Sequence, residues 1–426
     1  MISFSALSLE TTVMDNGIKY NLYTISGTYA ALSSQLQQTP WWLDTNLADR
    51  ITKLGASSLN YYPNPFGITT ISPLTAAFGS PYAGAAAYYN LGSCSLDFCY
   101  PAPNAPIWFL GSIIPYASDT QSSLATQARR LRSAFNSTIA SSNFANMNTY
   151  DCNLFDQNNM CISAGGRYTS VDNPSAHNSA AVVVLGYKVN SNIRIGGFLD
   201  QSVNHNTPTG VHLSNSNPMM GAFAVWNQNT NGLGYQVKLA NAYQDKDVTT
   251  TRDVIGTSEA GTGKTNLNTQ SYVGELSYAF NYQDSTLVRP YFAVRYTNIK
   301  QDGYTEETTS SVTAPLTYAK LSDRSTTALM GVKVNHALTP KTNLTASLGV
   351  EQDLDHKVDQ LSASGVSGLT SENFTSNIKR TRPVASVGAY YAVAKNQRVS
   401  GELYYQQLPF QSTGSATAYV NYMIGF

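Results

Sequence analysis

The final stretch of the chain, Ala416–Phe426, reads A-T-A-Y-V-N-Y-M-I-G-F and decides the fold. Every second residue, counted back from Phe426, is apolar or aromatic, whereas the residues between them are smaller or more polar. A period of two is the period of a β-strand, whose side chains alternate between two faces. The stretch therefore predicts a strand with one apolar face and one more polar face. Taken alone, it fits a strand in a membrane wall and an amphipathic strand of a soluble β-protein equally well.

The composition favours the membrane. Charged residues make up 12% of the 426 residues, against a usual share of about 25%, and the chain holds 28 tyrosines. A tyrosine ring with its polar hydroxyl suits the boundary between lipid and headgroups. The formal net charge is zero, so the composition implies no nucleic-acid partner. No apolar run approaches the roughly 18–20 residues of a membrane helix, so a membrane-spanning form of this chain would be a closed barrel.

From about residue 160 onward the alternation seen at the end of the chain recurs. One row is apolar, and the row between carries charged and polar residues at mid-strand. A dry protein core would hold such charges only as costly pairs, whereas a wet lumen holds them at much lower cost. The segments therefore predict a transmembrane antiparallel barrel of about twelve strands with its apolar row facing lipid. The clearest segments are 181–188, 193–200, 233–239, 274–282, 288–296, 330–335, 344–351 and 399–405.

The connections between these segments alternate between short and long. Short ones are expected at 190–192, 227–232, 283–286, 337–341 and 395–398. Long polar ones are expected at 203–217, 246–269, 300–323 and 355–380. Outer-membrane barrels have short turns on the periplasmic side and long loops outside. The rhythm therefore agrees with a barrel of that kind.

Ser118–Phe144 predicts a polar helix. The stretch lacks Gly and Pro, begins with the capping candidates Ser118 and Asp119, and has only a thin apolar stripe. Arg129, Arg130 and Arg132 lie in its middle. Such a helix is too polar for lipid and too thinly apolar for a large core, so a polar pore would suit it. A surface helix remains the alternative from these residues alone.

Residues 1–117 predict a small mixed or irregular region. Tyr29–Gln38 and Trp41–Leu54 read as two short helices, and the Trp41–Trp42 pair as part of a small core. The four cysteines form two close pairs, Cys94 with Cys99 and Cys152 with Cys161. Their spacing matches neither a redox nor a zinc motif, so two local disulfides made in an oxidising compartment are expected.

Taken together, a polar helix, about twelve alternating strands and a terminal Phe resemble the C-terminal translocator domain of an autotransporter, a type V secretion protein of the Gram-negative outer membrane. The resemblance implies three parts: a passenger remnant or extracellular cap (1–117), a linker helix through the pore (118–159) and the barrel (160–426). It implies that the barrel exports the N-terminal passenger and displays it at the cell surface. Some members of the family cut their linker at adjacent asparagines, but Asn158–Asn159 lies at the strand start and not in the helix, so an uncut passenger is expected.

The resemblance also assigns roles to residues and implies partners. Tyr422, Ile424 and Phe426 would form the signal read by the barrel-assembly machinery. The helix arginines would meet lumen carboxylates drawn from Glu275, Glu351, Asp353 and Glu402. Outer-membrane lipid and periplasmic chaperones are further expected partners, and the barrel is expected to be a monomer.

No catalytic or metal-binding constellation emerges from the sequence. Ser258–Thr265, S-E-A-G-T-G-K-T, lacks the first Gly of a phosphate-binding loop and falls between predicted strands. The five histidines are scattered. We therefore expect no enzyme, cofactor or metal. Two other functions stay open: a small porin plugged by its own helix, and a barrel-anchored surface adhesin.

Overall fold

A closed barrel of twelve antiparallel strands forms most of the molecule, as the alternation predicted. The computed structural model describes residues 10–26, 34–35, 39–41, 44–58, 72–75, 86–89, 94–95, 98–99 and 107–426, apart from 215, 284, 310, 376 and 411–412.

The described N-terminal part holds a five-stranded sheet, in the order β1-β2-β7-β4-β3, and one helix. Its elements are β1 (Glu10–Asp15), β2 (Ile18–Ser26), α1 (Thr45–Ser58), β3 (Ser72–Thr75), β4 (Ala86–Tyr89), β5 (Cys94–Ser95), β6 (Phe98–Cys99) and β7 (Ile107–Ile113).

The sequence did not predict the β1–β2 hairpin, although its turn has a strong signal. Asn16 and Gly17 both have positive φ, and Asn-Gly is the preferred pair for a two-residue hairpin turn. Helix α1 begins later than expected and continues past Gly55 to Ser58. The other expected helix, 29–38, lies largely outside the described residues. Trp41 is fully buried beside Tyr20 in a small core, as predicted, whereas Trp42 lies outside the described residues.

Helix α2 (Ala117–Phe144) lies inside the barrel and ends in a single π-helical turn, Ala145–Thr149. It matches the predicted helix to within one residue. Within the described ranges, no helix combines the length and the apolar character that a membrane crossing needs.

The barrel begins at Met160, and its last strand closes on its first, so that Gly425 pairs with Cys161 and Ser415 with Val171. Twelve strands form the wall: β8 (Met160–Val171), β9 (Ala176–Lys188), β10 (Ile193–Asn206), β12 (Met219–Asn227), β13 (Gly234–Thr251), β14 (Thr262–Asn281), β15 (Thr286–Gln301), β18 (Leu321–Ala337), β19 (Thr342–Val358), β21 (Thr381–Ala394), β22 (Gln397–Gln407) and β23 (Gly414–Gly425). Four short strands belong to the loops: β11 (Val211–Leu213), β16 (Tyr304–Thr305), β17 (Thr317–Tyr318) and β20 (Ala363–Ser364).

The two faces of the wall follow the predicted alternation. In β23, Val420 is 60% exposed on the outside, whereas its neighbour Tyr419 is 2% exposed on the inside. The same contrast holds in β19 between Leu348 outside and Glu351 inside. Because the apolar row points away from the barrel axis, the outer wall presents an apolar band of the kind that lipid requires.

Short turns lie at one end of the barrel, the turn end, and the long connections lie at the other, the loop end, together with the short connection 172–175. The turns are 189–192, 228–233, 282–285, 338–341 and 395–396. One expected loop is mostly strand: of 246–269, only 252–261 connects β13 to β14. These two strands therefore extend into a collar at the loop end. The polar composition of 246–269 gave no strand signal, because a strand outside the apolar band needs no apolar row.

Candidate functional site

The interior of the barrel, where α2 lies, is the candidate site. The helix enters at the loop end, where Asp119 accepts hydrogen bonds from the Thr257 backbone N–H (2.7 Å) and the Thr257 hydroxyl (2.8 Å). These bonds hold the pKa of the Asp119 carboxyl below its ordinary value. The carboxylate also lies at the positive end of the helix dipole. Loop 252–261 thus fixes the point of entry.

Two tyrosines of the short loop strands β16 and β17 hold the next part of helix α2. The Gln127 amide donates to the Tyr304 hydroxyl (3.1 Å) and accepts from the Tyr318 hydroxyl (2.7 Å). Burial raises the pKa of both phenols, so both hydroxyls stay protonated. Since a buried amide needs both partners, Gln127 ties the helix to loop 302–320.

A buried ion pair joins the two loops above the helix. Arg252 donates from Nε (2.6 Å) and from an Nη atom (2.9 Å) to Glu306, and both side chains are 1% exposed. A bidentate pair of this kind has a fixed geometry. Helix residues Leu124, Leu131 and Phe135 pack beneath these loops in one apolar cluster. The loop end is therefore a packed cap, which we call the outer cap: α2 from Ala117 to Phe135 with loops 252–261, 302–320 and 359–380.

The three helix arginines do not make the ion pairs that were expected of them. Arg130 pairs with Asp253 of the outer cap (2.7 Å). Arg132 donates to the Phe374 carbonyl oxygen (2.6 Å) and lies over the Phe374 ring. Arg129 donates to Thr126, one turn back on the same helix. Arg130 and Arg132 therefore contact the loops above the lumen, whereas Arg129 bonds its own helix.

The expected lumen carboxylates pair with residues of the barrel wall instead. Glu275 binds Lys333 (2.6 Å), and Glu351 binds Arg295 (2.9 Å) and Arg382 (3.3 Å). Asp353 binds Arg382 and also His356, whose other ring nitrogen contacts Asp323 (2.8 Å). Glu402 lines a cavity at the turn end. Glu275–Lys333 and Glu351–Arg295 each span one intervening strand, whereas Asp353–Arg382 joins the adjacent strands β19 and β21. Ion pairs between strands therefore line the lumen.

The inner half of α2 is held by polar contacts around one buried pair that sequence reasoning missed. Arg167 of β8 forms a two-pronged salt bridge with Asp200 of β10, at 2.7 and 2.9 Å, and both side chains are almost fully buried. Arg167 also donates to Ser141 of the helix (3.1 Å), and the Tyr150 hydroxyl donates to Asp200 (2.5 Å). The alternation of side chains predicted that Asp200 faces the lumen, but it could not predict that its partner lies two strands away.

Further polar contacts follow the helix downward. Ser137 contacts His205 of β10 (3.2 Å), Asn143 donates to Gln406 of β22 (2.8 Å), and Asn146 donates to Ser271 of β14 (2.8 Å). The helix therefore contacts strands on several sides of the lumen. Its polar residues, which looked too wet for a core, are matched by polar residues of the wall.

Below the helix, the lumen holds a cavity of about 410 Å³ lined by Asp151, Lys333, Arg398 and Glu402, among others. The chain passes this cavity and returns to the wall, where Cys152 and Cys161 form the predicted disulfide. Cys94 and Cys99 pair as backbone neighbours, but their side chains lie outside the described part, so that disulfide stays a prediction.

The terminal residue completes the turn end. The Phe426 backbone oxygen accepts hydrogen bonds from the N–H groups of Asp156 (3.2 Å), Asn158 (3.0 Å) and Met160 (3.2 Å). The Phe426 ring is 43% exposed on the outer wall, as are Tyr422 (38%) and, in part, Ile424. The three residues expected to form the assembly signal thus lie together on the outward row of β23.

A closed antiparallel barrel with an apolar outer wall and a polar, helix-filled lumen is a protein of the outer-membrane barrel class. A family model, autotransporter beta-domain, matches residues 162–406. The chain belongs to the autotransporter β-domain family.

Solved structures of low identity are similar to this chain, and the first of those named here shares its fold. The translocator domain of autotransporter NalP from Neisseria meningitidis is 17% identical over 73% of this chain and 98% of its own, with a TM-score of 0.50. The transport unit of the autotransporter AIDA-I from Escherichia coli is 14% identical over 70% and 99%, with a TM-score of 0.47. The beta domain of the Bordetella autotransporter BrkA is 12% identical over 63% and 99%, with a TM-score of 0.43. No curated protein matches the chain.

Family membership defines the barrel as an outer-membrane translocator and places the chain in the outer membrane. The translocator domains of this family are transport barrels and not enzymes.

Proposed function

We propose that the barrel exports the segment that precedes α2 and then holds it at the cell surface. The direction of the helix carries the proposal. Its first turn is bound by the loop end, through Asp119 and Thr257, and its last residues lead to the first strand at the turn end. Loops of such barrels lie outside and turns in the periplasm. The chain before Ala117 therefore emerges on the outside.

An insertion experiment tests this display. An epitope placed in the β1–β2 turn, between Asn16 and Gly17, is expected to bind antibody on intact cells. The same epitope in the turn 228–233 should bind only after the outer membrane is permeabilised. A β1–β2 epitope that needs permeabilisation would show that the N-terminal part lies in the periplasm and would refute surface display.

The proposal extends to the assembly partners. The outward row of Tyr422, Ile424 and Phe426 would be read by the barrel-assembly machinery, after periplasmic chaperones have carried the unfolded chain across. The folded barrel would work as a monomer in lipid without cofactor or catalytic activity. Clustering of the three side chains on the outer wall supports a role in recognition, since an apolar row at the end of a strand is accessible before the barrel closes.

A porin is the second candidate, because a polar lumen of about 410 Å³ remains below the helix. The outer cap argues against steady conduction, since its ion pair and its apolar cluster close the loop end around α2. A surface adhesin is the third candidate and adds a ligand for 1–117 to the same architecture. A binding screen of displayed 1–117 against glycans and matrix proteins addresses it.

A further inference from the structure

In the apolar part of the outward row of β13, from Tyr235 to Tyr243, one side chain is an amide. Asn241 stands between Leu239, which is 58% exposed, and Tyr243 on the outer wall. The sheet register places Ala222 beside it on one strand and Tyr272 on the other. An amide in this row is costly, because lipid offers few partners for its donors.

Around Asn241 the wall is hollowed. A groove of about 570 Å³ runs over Ala222, Ala224 and Gly274. Leu239 borders it on one side, and Tyr272 and Tyr296 border it on the other. Gly274 contributes directly, since a Cβ atom added there would meet only the Leu239 side chain, at 3.5 Å. The lining has one amide, that of Asn241. The groove is therefore shallow, and it is apolar apart from this amide.

One of the two polar atoms of the Asn241 amide is hydrogen-bonded within the protein. Its Oδ1 atom accepts the Ala222 backbone N–H (2.9 Å). Within the described part of the chain, its Nδ2 donors have no hydrogen-bond acceptor, and the residue lines the groove. A donor of this kind in an apolar setting gains free energy from any acceptor that a ligand brings.

The depth of Asn241 in the membrane narrows the choice of ligand. Tyr243, two residues nearer the loop end, accepts a hydrogen bond from Asn268 (2.9 Å) and is the last aromatic residue of the outward row before Asp245. An aromatic residue where an apolar row turns polar is typical of the lipid–water boundary of such barrels. Asn241 thus lies just inside the outer headgroup level. At that level a membrane lipid has the ester or amide linkages of its acyl chains, and each linkage has a carbonyl oxygen.

We propose that this groove binds one acyl chain of an outer-leaflet lipid by its carbonyl end. The chain lies over Ala222, Ala224 and Gly274, and Asn241 Nδ2 donates to the carbonyl oxygen of the ester or amide linkage. A second copy of the barrel fits less well. The residues that surround the groove are apolar or aromatic, so a symmetric partner would bring no strong acceptor other than its own Asn241.

The test compares two lipids that differ only in the carbonyl group. Full-length protein in detergent micelles is mixed with dimyristoyl phosphatidylcholine or with its ether-linked analogue of equal chain length, and native mass spectrometry counts the retained lipids. Wild-type protein should retain the ester lipid about fivefold more tightly, the value of one net hydrogen bond. Asn241→Leu should hold both lipids equally.

A second variant separates the groove from the amide. Gly274→Leu keeps Asn241 but fills the groove, so it should weaken retention of both lipids together. Lipid retention is measured only on the fraction of each variant that is folded, as shown by heat-modifiability. Each variant is the folding control for the other. Equal retention of the two lipids by wild type, or an ester preference that survives in Asn241→Leu, would overturn the proposal. Masses of two barrels without lipid would show that a second copy is the occupant.

Discussion

At the scale of single residues, Arg167 and Asp200 fasten the helix to the wall. The pair is almost completely buried and bonds both Ser141 and Tyr150. Truncating one member leaves the other charge without its partner, which costs about 3–5 kcal/mol. We expect Asp200→Asn to lower the free energy of unfolding by an amount of that order, measured by guanidinium unfolding in detergent.

A surface ion pair provides the matched control. Lys264 and Glu307 lie 3.2 Å apart with side chains 72% and 59% exposed. Exposed pairs of this kind contribute little, so Glu307→Gln should leave the unfolding midpoint almost unchanged. Equal shifts for the two variants would show that the Arg167–Asp200 pair has no special role.

Phe426 allows a second test at this scale. We expect Phe426→Asp to reduce the amount of barrel assembled in the outer membrane while leaving the stability of the fraction that does fold nearly normal. The reason is that the ring points outward and supports only recognition, whereas the structural bonds of Phe426 come from its backbone. Heat-modifiable barrel in membrane fractions is the measurement.

The control for Phe426 is another outward aromatic residue at the same height. Tyr187 is 49% exposed and pairs with Met160, the strand position that also bonds Phe426. Tyr187→Asp places an equal charge in lipid but outside the terminal strand. Similar assembly defects in both variants would show that Phe426 makes only ordinary lipid contact. Normal assembly of Phe426→Asp would show that the ring has no role in assembly.

At the scale of elements, the outer cap determines whether the barrel is closed. Glu306→Gln leaves Arg252 buried without its charged partner, and the loops around Gln127 should loosen. We expect a higher open probability in planar bilayers. Arg129→Ala is the matched control and should conduct as wild type does, because among the described residues Arg129 bonds only Thr126, on its own helix. A conductance rise in Arg129→Ala alone would reverse the assignment.

The first turn of α2 should respond to acid. The pKa of Asp119 is lowered below its ordinary value of 3.8 by the bonds from Thr257. Its contribution to docking is therefore complete above that ordinary value and is lost as the pH falls through the lower folded value. Amide hydrogen exchange at the start of α2 should rise in that window in wild type. Asp119→Asn should show no such step.

The sequence predicted elements better than partners. Strand alternation and the Gly-free, Pro-free stretch 118–144 gave the barrel and α2, because each rests on local periodicity. The partners of Arg130 and Arg132 could not be inferred, since Asp253 and Phe374 lie in loops whose path depends on the whole barrel. The Cys152–Cys161 pair was predictable because its closure is local.

At the scale of the whole molecule, removing the helix distinguishes a translocator from a porin. We expect a variant without 118–144 to conduct strongly in planar bilayers, while the intact chain stays almost closed. A porin with a mobile plug would conduct with its helix in place. Because the helix also contributes buried contacts, folded protein is first selected by heat-modifiability, and Glu306→Gln supplies a variant with the helix retained.

The Cys152–Cys161 disulfide has a mechanical consequence. A pulling force on the chain before Ala117 runs down the axis of α2 and loads its polar contacts with the wall in shear. Beyond the helix, the covalent bond carries the load from Cys152 directly to Cys161, the second residue of strand β8. The segment 153–160, with the hydrogen bonds that hold Phe426, is left slack. Tension therefore reaches the wall through Cys161, whose backbone is paired with both Gly186 and Gly425, and is shared between two strands.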